Sequence, residues 1–426
     1  AGNCCNKKYK FKMTYRFLLV PFLIGLISAQ KINLVGELYV GEAIAAAYIV
    51  VNLKRLRLSG VEVTIIAFAL LWAGAQLLSD LSNKTAFFDA IKGILAPVVF
   101  VATFIFLINY TKDKFFRVPS LLIGVTIGAL IQLILVPTEY FKFNFWKWGF
   151  GGVVLGLFVI YFSFFSKNKN SLFLFSALII FLGVTLYFDS RGMAIFPIIA
   201  ALIYKLYYKK KTSFLSNNFS GDWTGIKLLL IAVPMLFIVN SAASALFSSE
   251  AVLSKFSIAT AAKYRTQATG AFGILLGGRS EVLVSAQAFL DRPLIGHGSW
   301  AKDKSGYLER YLILRDKYGY SLSDDGGYEE VGEEVLIPAH SFLMGAMVWA
   351  GILGGVFWLV VLNSTLKIFI ANLNLFPLYY YVGMIGFVWN VFFSPFGADA
   401  RWSTAVFLAA FFSFSNYLKS NVRVIS

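Results

Sequence analysis

From Phe17 onward the chain keeps returning to long apolar runs, most of them close to the roughly 20 residues a helix needs to cross the hydrocarbon of a bilayer. In that solvent every backbone N–H and C=O must find its partner inside the protein, which leaves helices and closed barrels as spanning structures. Runs this continuous lack the alternation of barrel strands. They predict an all-α integral membrane protein of about 12 spans, near 17–30, 38–52, 61–79, 90–109, 118–136, 149–166, 171–188, 193–208, 227–247, 339–361, 374–394 and 402–418. The second run is short and extends back toward Leu34. Composition agrees: 58% of residues are hydrophobic and 14% charged, against about 45–50% and about 25% in soluble domains. Residues 1–426 read as one polytopic transmembrane domain, and 248–338 as a long loop between the ninth and tenth spans.

Charge orients the spans. With both termini cytoplasmic, the inner segments hold 21 Lys and Arg. The short outer segments hold seven: Lys31, Lys84, Lys92, Lys142, Lys147, Arg191 and Arg401. This asymmetry follows the positive-inside rule and puts the long loop outside. The net charge of +16 therefore reflects membrane topology and not nucleic-acid binding, which would need a basic stripe on a soluble face. The long loop, with ten basic and twelve acidic residues, is near neutral.

The amino-terminal basic and apolar stretch, with Ile27-Ser28-Ala29, has the look of a signal peptide but is read as a retained first span. Cys4 and Cys5 are adjacent, on the cytoplasmic side, and have no metal-site spacing. In the loop, Val252–Ala268 and Tyr307–Lys317 show helical spacing of apolar residues and predict amphipathic helices lying over the bundle. Ser321–Glu334 is Gly-rich and acidic and reads as an irregular flap without the spacing of a cation site.

Polar candidates collect at the outer lip. Arg191 stands between two apolar runs in Asp189-Ser190-Arg191-Gly192, and Arg279 in Gly277-Gly278-Arg279-Ser280-Glu281 opens a short helix. A guanidinium is a rigid fork of donors suited to phosphate oxygens. Arg265 and Arg401 are further outer cations. Pro293-Leu294-Ile295-Gly296-His297-Gly298 reads as a tight turn that brings backbone close to a neighbour, with His297 a loop residue. His340, the other histidine, opens the tenth span, followed by Ser341, Gly351 and Gly354. An imidazole there is a candidate proton acceptor, and the glycines permit close packing of the helix that carries it.

With those residues in view, the chain resembles the O-antigen ligase and O-antigen polymerase family of multi-pass bacterial glycosyltransferases. His340, Ser341, Gly351 and Gly354 match its His-[Asn/Ser/Gln]-x9-Gly-x-x-Gly signature, and Ser190-Arg191-Gly192 matches its Ser-Arg-Gly after a span. Arg279 and Pro293–Gly298 match its arginine-led segment ending in Pro-Leu-x-Gly-x-Gly. The likeness covers roughly 185–360; where the family often has a tryptophan after the loop arginine, Leu283 and Val284 stand here. The resemblance implies a metal-independent, inverting transfer with no cofactor, on the periplasmic face of the inner membrane. The donor is a glycan on undecaprenyl diphosphate. The acceptor is lipid A–core (a ligase, in lipopolysaccharide biosynthesis) or a second lipid-linked glycan (a polymerase). His340, Arg191 and Arg279 would be catalytic, with Arg265, Ser341 and Arg401 binding substrate. A transporter of polysaccharide or lipid-linked sugar is the alternative from another class.

Overall fold

The computed structural model describes residues 17–34, 36–112, 114–166, 171–188, 190–207, 281–317 and 334–423, with scattered residues between 241 and 268 and at 330–331. The described residues are mostly helical. Helices α1 (Leu19–Ser28), α2 (Val40–Asn52), α3 (Gly60–Asn83), α4 (Phe87–Thr111) and α5 (Val118–Leu135) come first. The short α6 (Glu139–Phe143) leads into α7 (Gly151–Ile160), which π-helical turns extend to Trp146–Phe165. Then come α8 (Ser171–Tyr187), α9 (Arg191–Tyr207), α10 (Glu281–Asp291), α11 (Tyr307–Lys317), α12 (Phe342–Ala350), α13 (Ile352–Ala371), α14 (Leu378–Phe393) and α15 (Ala398–Arg423).

Among the described residues, five helical segments are long and apolar enough to cross a membrane: Gly60–Asn83, Phe87–Thr111, Phe115–Leu135, Trp146–Phe165 and Ile352–Ala371. The protein is thus an all-α membrane protein at the coarse level. Other expected spans coincide with shorter apolar helices, such as the ten residues of α1 and the 16 of α14. The expected span 227–247 lies largely outside the described residues.

Helix ends follow local chemistry. Ser59 and Glu62 form a capping box at the start of α3, which stops at Lys84 in a left-handed conformation. Helices α1 and α5 touch through Gly25, Gly124 and Gly128, where any β-carbon would run into backbone of the facing helix. Such small-residue contacts let membrane helices gain dispersion energy where apolar burial against lipid gives little. Behind the site, Trp72, Phe100, Phe342, Phe357, Trp358 and Phe396 form an aromatic cluster, with Phe342 and Trp358 centroids 4.9 Å apart.

Polar ties hold both ends of the bundle. At one end, strands β1 (Lys31–Leu34) and β2 (Gly36–Tyr39) pair antiparallel, Lys31 opposite Tyr39. There Arg401 grips the buried Glu42 with Nε and Nη2, at 2.6 and 2.9 Å. Lys31 pairs with Asp399 at 2.6 Å and Glu37 at 3.1 Å. Burial works against the Lys31 charge, but these two carboxylates outweigh it and hold the ammonium above its ordinary range. At the other end, buried Glu62 takes Lys112 at 3.1 Å and Asn416 at 2.7 Å.

The described part of the loop before α12 is built of regular elements. Tyr307–Lys317 is helical, as its spacing predicts, and Asp303 caps it by accepting from Tyr307 and Leu308 backbone N–H at 2.8 and 2.6 Å. Tyr307, Leu308 and Tyr311 bury against Val284, Ala288, Ala301, Ile337 and Val348. The expected helix over Val252–Ala268 falls mostly outside the described residues, which include the short α-helical segment Glu250–Leu253 and scattered helical positions from 261 to 268. The acidic flap also lies mostly outside them, but its end is regular: Glu330–Val331 pairs antiparallel with Glu334–Val335 as β3 and β4. Cross-strand hydrogen bonds there correct the reading of that end as irregular.

Candidate active site at the foot of a helical hairpin

The apolar run 339–361, expected as one span, is two helices. Gly351 breaks it with φ +69° and ψ −163°, a region open only to glycine. The nine residues of α12 then fold back along α13. A β-carbon on Gly354 would collide with the Ala346 carbonyl, and one on Gly355 with the Met347 side chain; Phe342 packs on Trp358. The signature spacing thus encodes a hairpin: a short helix, a hinge, and a glycine that lets the two limbs touch.

The tight turn at 293–298 grips the hinge. Ile352 N–H donates to the Pro293 carbonyl at 2.8 Å, His297 N–H to Val348 at 2.7 Å and Gly298 N–H to Trp349 at 3.1 Å. The expected close approaches are both present: loop backbone lies against Gly351, and α12 packs on Gly354 of α13. Helix α3 fastens the turn from the far side. Asp80 accepts from Ser299 N–H at 2.6 Å and Ser299 Oγ–H at 2.8 Å, and Gln76 donates to Ser299 Oγ at 2.8 Å. Asn83 donates to the Gly296 carbonyl at 3.2 Å and also pairs with Arg292. Sequence reading missed Asp80, Gln76 and Ser299. The available signal was an acid and an amide in the last turns of an otherwise apolar span.

His297 belongs to this clamp. Its Nε2 lies 2.7 Å from the Ala288 carbonyl, which can only accept, so Nε2 carries the proton. Burial pushes this imidazole below its ordinary range, and the bond to Ala288 opposes that only in part.

His340 sits at the opposite end of α12, about 14 Å from the hinge at 1.5 Å per helical residue. Its main chain is held on both sides. Ser285 Oγ donates to the Pro338 carbonyl at 2.6 Å. Ser341 is buried and caps α12, accepting from Met344 N–H at 3.0 Å while donating to the Val391 carbonyl of α14 at 2.8 Å. The His340 ring is half-buried, and its Nδ1 is buried without a hydrogen-bond partner among the described residues. A buried polar atom left bare costs free energy, so it marks a place where a ligand or water can bind.

The structure brings only some candidates together. Arg191 opens α9, which runs antiparallel to α14: Phe196 packs on Trp389 and Tyr204 on Tyr381. Extending that register sets the start of α9 beside the end of α14, at the level of Val391 and hence of Ser341. Arg279 lies outside the described residues, two positions before α10. Arg265 pairs with Glu250 at 2.5 Å on an exposed surface. Arg401 is committed to Glu42 and the Glu37 carbonyl at the hairpin-strand end. Neither of these two is gathered with His340 by any contact among the described residues. Comparison with known protein families, with curated proteins and with solved structures finds no match for this chain.

Proposed function

We propose that this chain is a glycosyltransferase of the bacterial inner membrane. It moves a glycan from undecaprenyl diphosphate to a sugar hydroxyl on the periplasmic face, with lipid A–core as acceptor. The observation that carries the reading is His340: an imidazole with a bare, buried Nδ1, its backbone pinned by Ser285 and Ser341 at the foot of the hairpin. The order Arg191, Arg279, His340, Gly351, Gly354 supports it, since it is that of the ligase-type motifs.

The acceptor oxygen attacks the anomeric carbon of the donor glycan while the bond from that carbon to the diphosphate oxygen breaks. His340 takes the hydroxyl proton, and undecaprenyl diphosphate leaves with the bonding electrons. A general base of this kind contributes about 10²–10⁴-fold. Arg191 and Arg279 neutralise the charge that grows on the departing diphosphate. Ser341 acts by holding His340: its one O–H is spent on the Val391 carbonyl and one oxygen lone pair on Met344 N–H.

The test is transfer by the purified full chain in liposomes, with lipid-linked donor and either lipid A–core or a second donor as acceptor. Product on lipid A–core that persists in chelator is expected. Product only on the second donor makes the chain a polymerase. Translocated but unjoined donor overturns the transferase reading in favour of a transporter.

A further inference from the structure

We infer that Glu281 and His340 together form the subsite for the acceptor sugar, the carboxylate of Glu281 and the Nδ1 edge of His340 each taking one hydroxyl. The inference deepens the proposed transfer reaction and rests on it.

Helix α10 lies alongside α12 and runs in the same direction. At one end the chain leaving α10 meets the hinge, with Pro293 bonded to Ile352. Closer to the other, Ser285 bonds the Pro338 carbonyl at 2.6 Å. From that tie both segments run away from the hinge: α10 when followed back to Glu281, and the chain after Pro338 because Ala339 lies alongside Gly345 of α12 before the chain turns into that helix. Four residues of helix carry α10 from Ser285 back to Glu281, about 6 Å. Two residues of non-helical chain carry Pro338 to His340, about 6.6 Å at full extension. Glu281 is therefore level with His340.

Both side chains are half-buried, and each has one polar atom, Glu281 Oε2 and His340 Nδ1, that is buried without a hydrogen-bond partner among the described residues. Two such atoms at one level of a helix pair are costly for the free protein. A ligand with neighbouring hydroxyls would satisfy both: one O–H donates to the carboxylate, and the other is held at the imidazole nitrogen that takes its proton. The sign of the charge decides between substrates. A carboxylate repels the donor diphosphate but accepts readily from a hydroxyl, so this side of His340 faces the acceptor.

The experiment compares the full-length wild type with Glu281→Ala and the isosteric Glu281→Gln in nanodiscs. Transfer kinetics are measured against acceptor and donor separately, alongside calorimetric binding of a neutral core-type oligosaccharide without donor. Loss of a hydrogen bond to a charged group predicts an acceptor KM raised about ten-fold or more in Glu281→Ala, with less change in Glu281→Gln. Donor affinity stays within about two-fold in both, as expected for a group away from the diphosphate. Oligosaccharide binding weakens in parallel. If Glu281→Ala does not fold, Glu281→Gln decides by the same readings. Unchanged acceptor KM and oligosaccharide affinity in folded variants overturn the inference while leaving the transferase reading intact. Glu281-dependent oligosaccharide binding without transfer by the wild type upholds the subsite and overturns the transferase reading.

Discussion

The carbonyl oxygen of Leu294 fills the space that a β-carbon on Gly351 would need. One backbone contact thus joins the Pro293–Gly298 turn to the hinge of the α12–α13 hairpin, and so to the helix that presents His340.

Gly351→Ala should therefore be among the most damaging small substitutions. Alanine meets both a collision with Leu294 backbone and a φ of +69°. The strain alone is about 1–3 kcal/mol. Thermal unfolding in detergent should show a clear loss for Gly351→Ala, whereas Gly386→Ala, which meets nothing within 4 Å, should change little. Equal stability of the two variants would show that the hinge is not under this constraint.

The two histidines should separate cleanly in transfer assays. His340→Gln keeps a polar group but cannot take a proton, and should lose about 10²–10⁴-fold in rate. His297, bonded to Ala288 and T-stacked on Tyr307, should keep much of its activity as Gln. A dead His297→Gln that remains folded, beside an active His340→Gln, would reverse the assignment.

His297 also predicts a pH effect on stability. Its folded-state pKa is lowered, first by burial. The stability of the neutral, buried form is fully present above the unfolded value of roughly 6.5 and is lost as pH falls below it toward the lowered folded value. Protection factors for hydrogen exchange at residues 293–298, corrected for the intrinsic pH dependence of the exchange rate, should fall in wild type as the pH is lowered through the unfolded value. His297→Gln should show a smaller fall. Identical pH responses would remove His297 as the cause.

Breaking the Glu42–Arg401 pair should cost more than any surface pair. Glu42→Ala leaves a buried guanidinium uncompensated, a loss of about 3–5 kcal/mol. Adding Arg401→Met should recover much of it, because the apolar pair no longer carries a buried charge. A double variant no better than Glu42→Ala in thermal unfolding would argue that Arg401 has some other task there.

Cysteines introduced at Ser305 and Ser420 should label from opposite sides of the membrane. Ser305 precedes α11 in the loop, and Ser420 lies near the end of α15. Labelling of both by the same impermeant reagent in intact vesicles would refute cytoplasmic termini with an outer loop.

Much of the molecule was legible from one-dimensional pattern. Long apolar runs dictate helices, because lipid offers the backbone no other partner, and α3, α4, α5 and Trp146–Phe165 lie where hydropathy puts them. The helix at Tyr307–Lys317 followed from its apolar spacing, and the turn at Pro293–Gly298 from its glycines. The polar residues His340, Ser341 and Arg191 stood out against a greasy background, which is why they could be picked from sequence at all.

What the chain's pattern left open was how the pieces meet. Hydropathy is blind to a hinge inside an apolar run, so 339–361 read as one span. Only tertiary contact, with Leu294 pressed on Gly351 and Ala346 on Gly354, makes it a hairpin. Arg401 looked like a free outer cation until its partner Glu42, far away in sequence, was brought beside it. Glu281 was one acid among the loop's twelve; the Ser285–Pro338 bond is what sets it level with His340. Local propensity is written residue by residue. Pairings between distant residues depend on packing, and packing is settled only when the whole bundle closes.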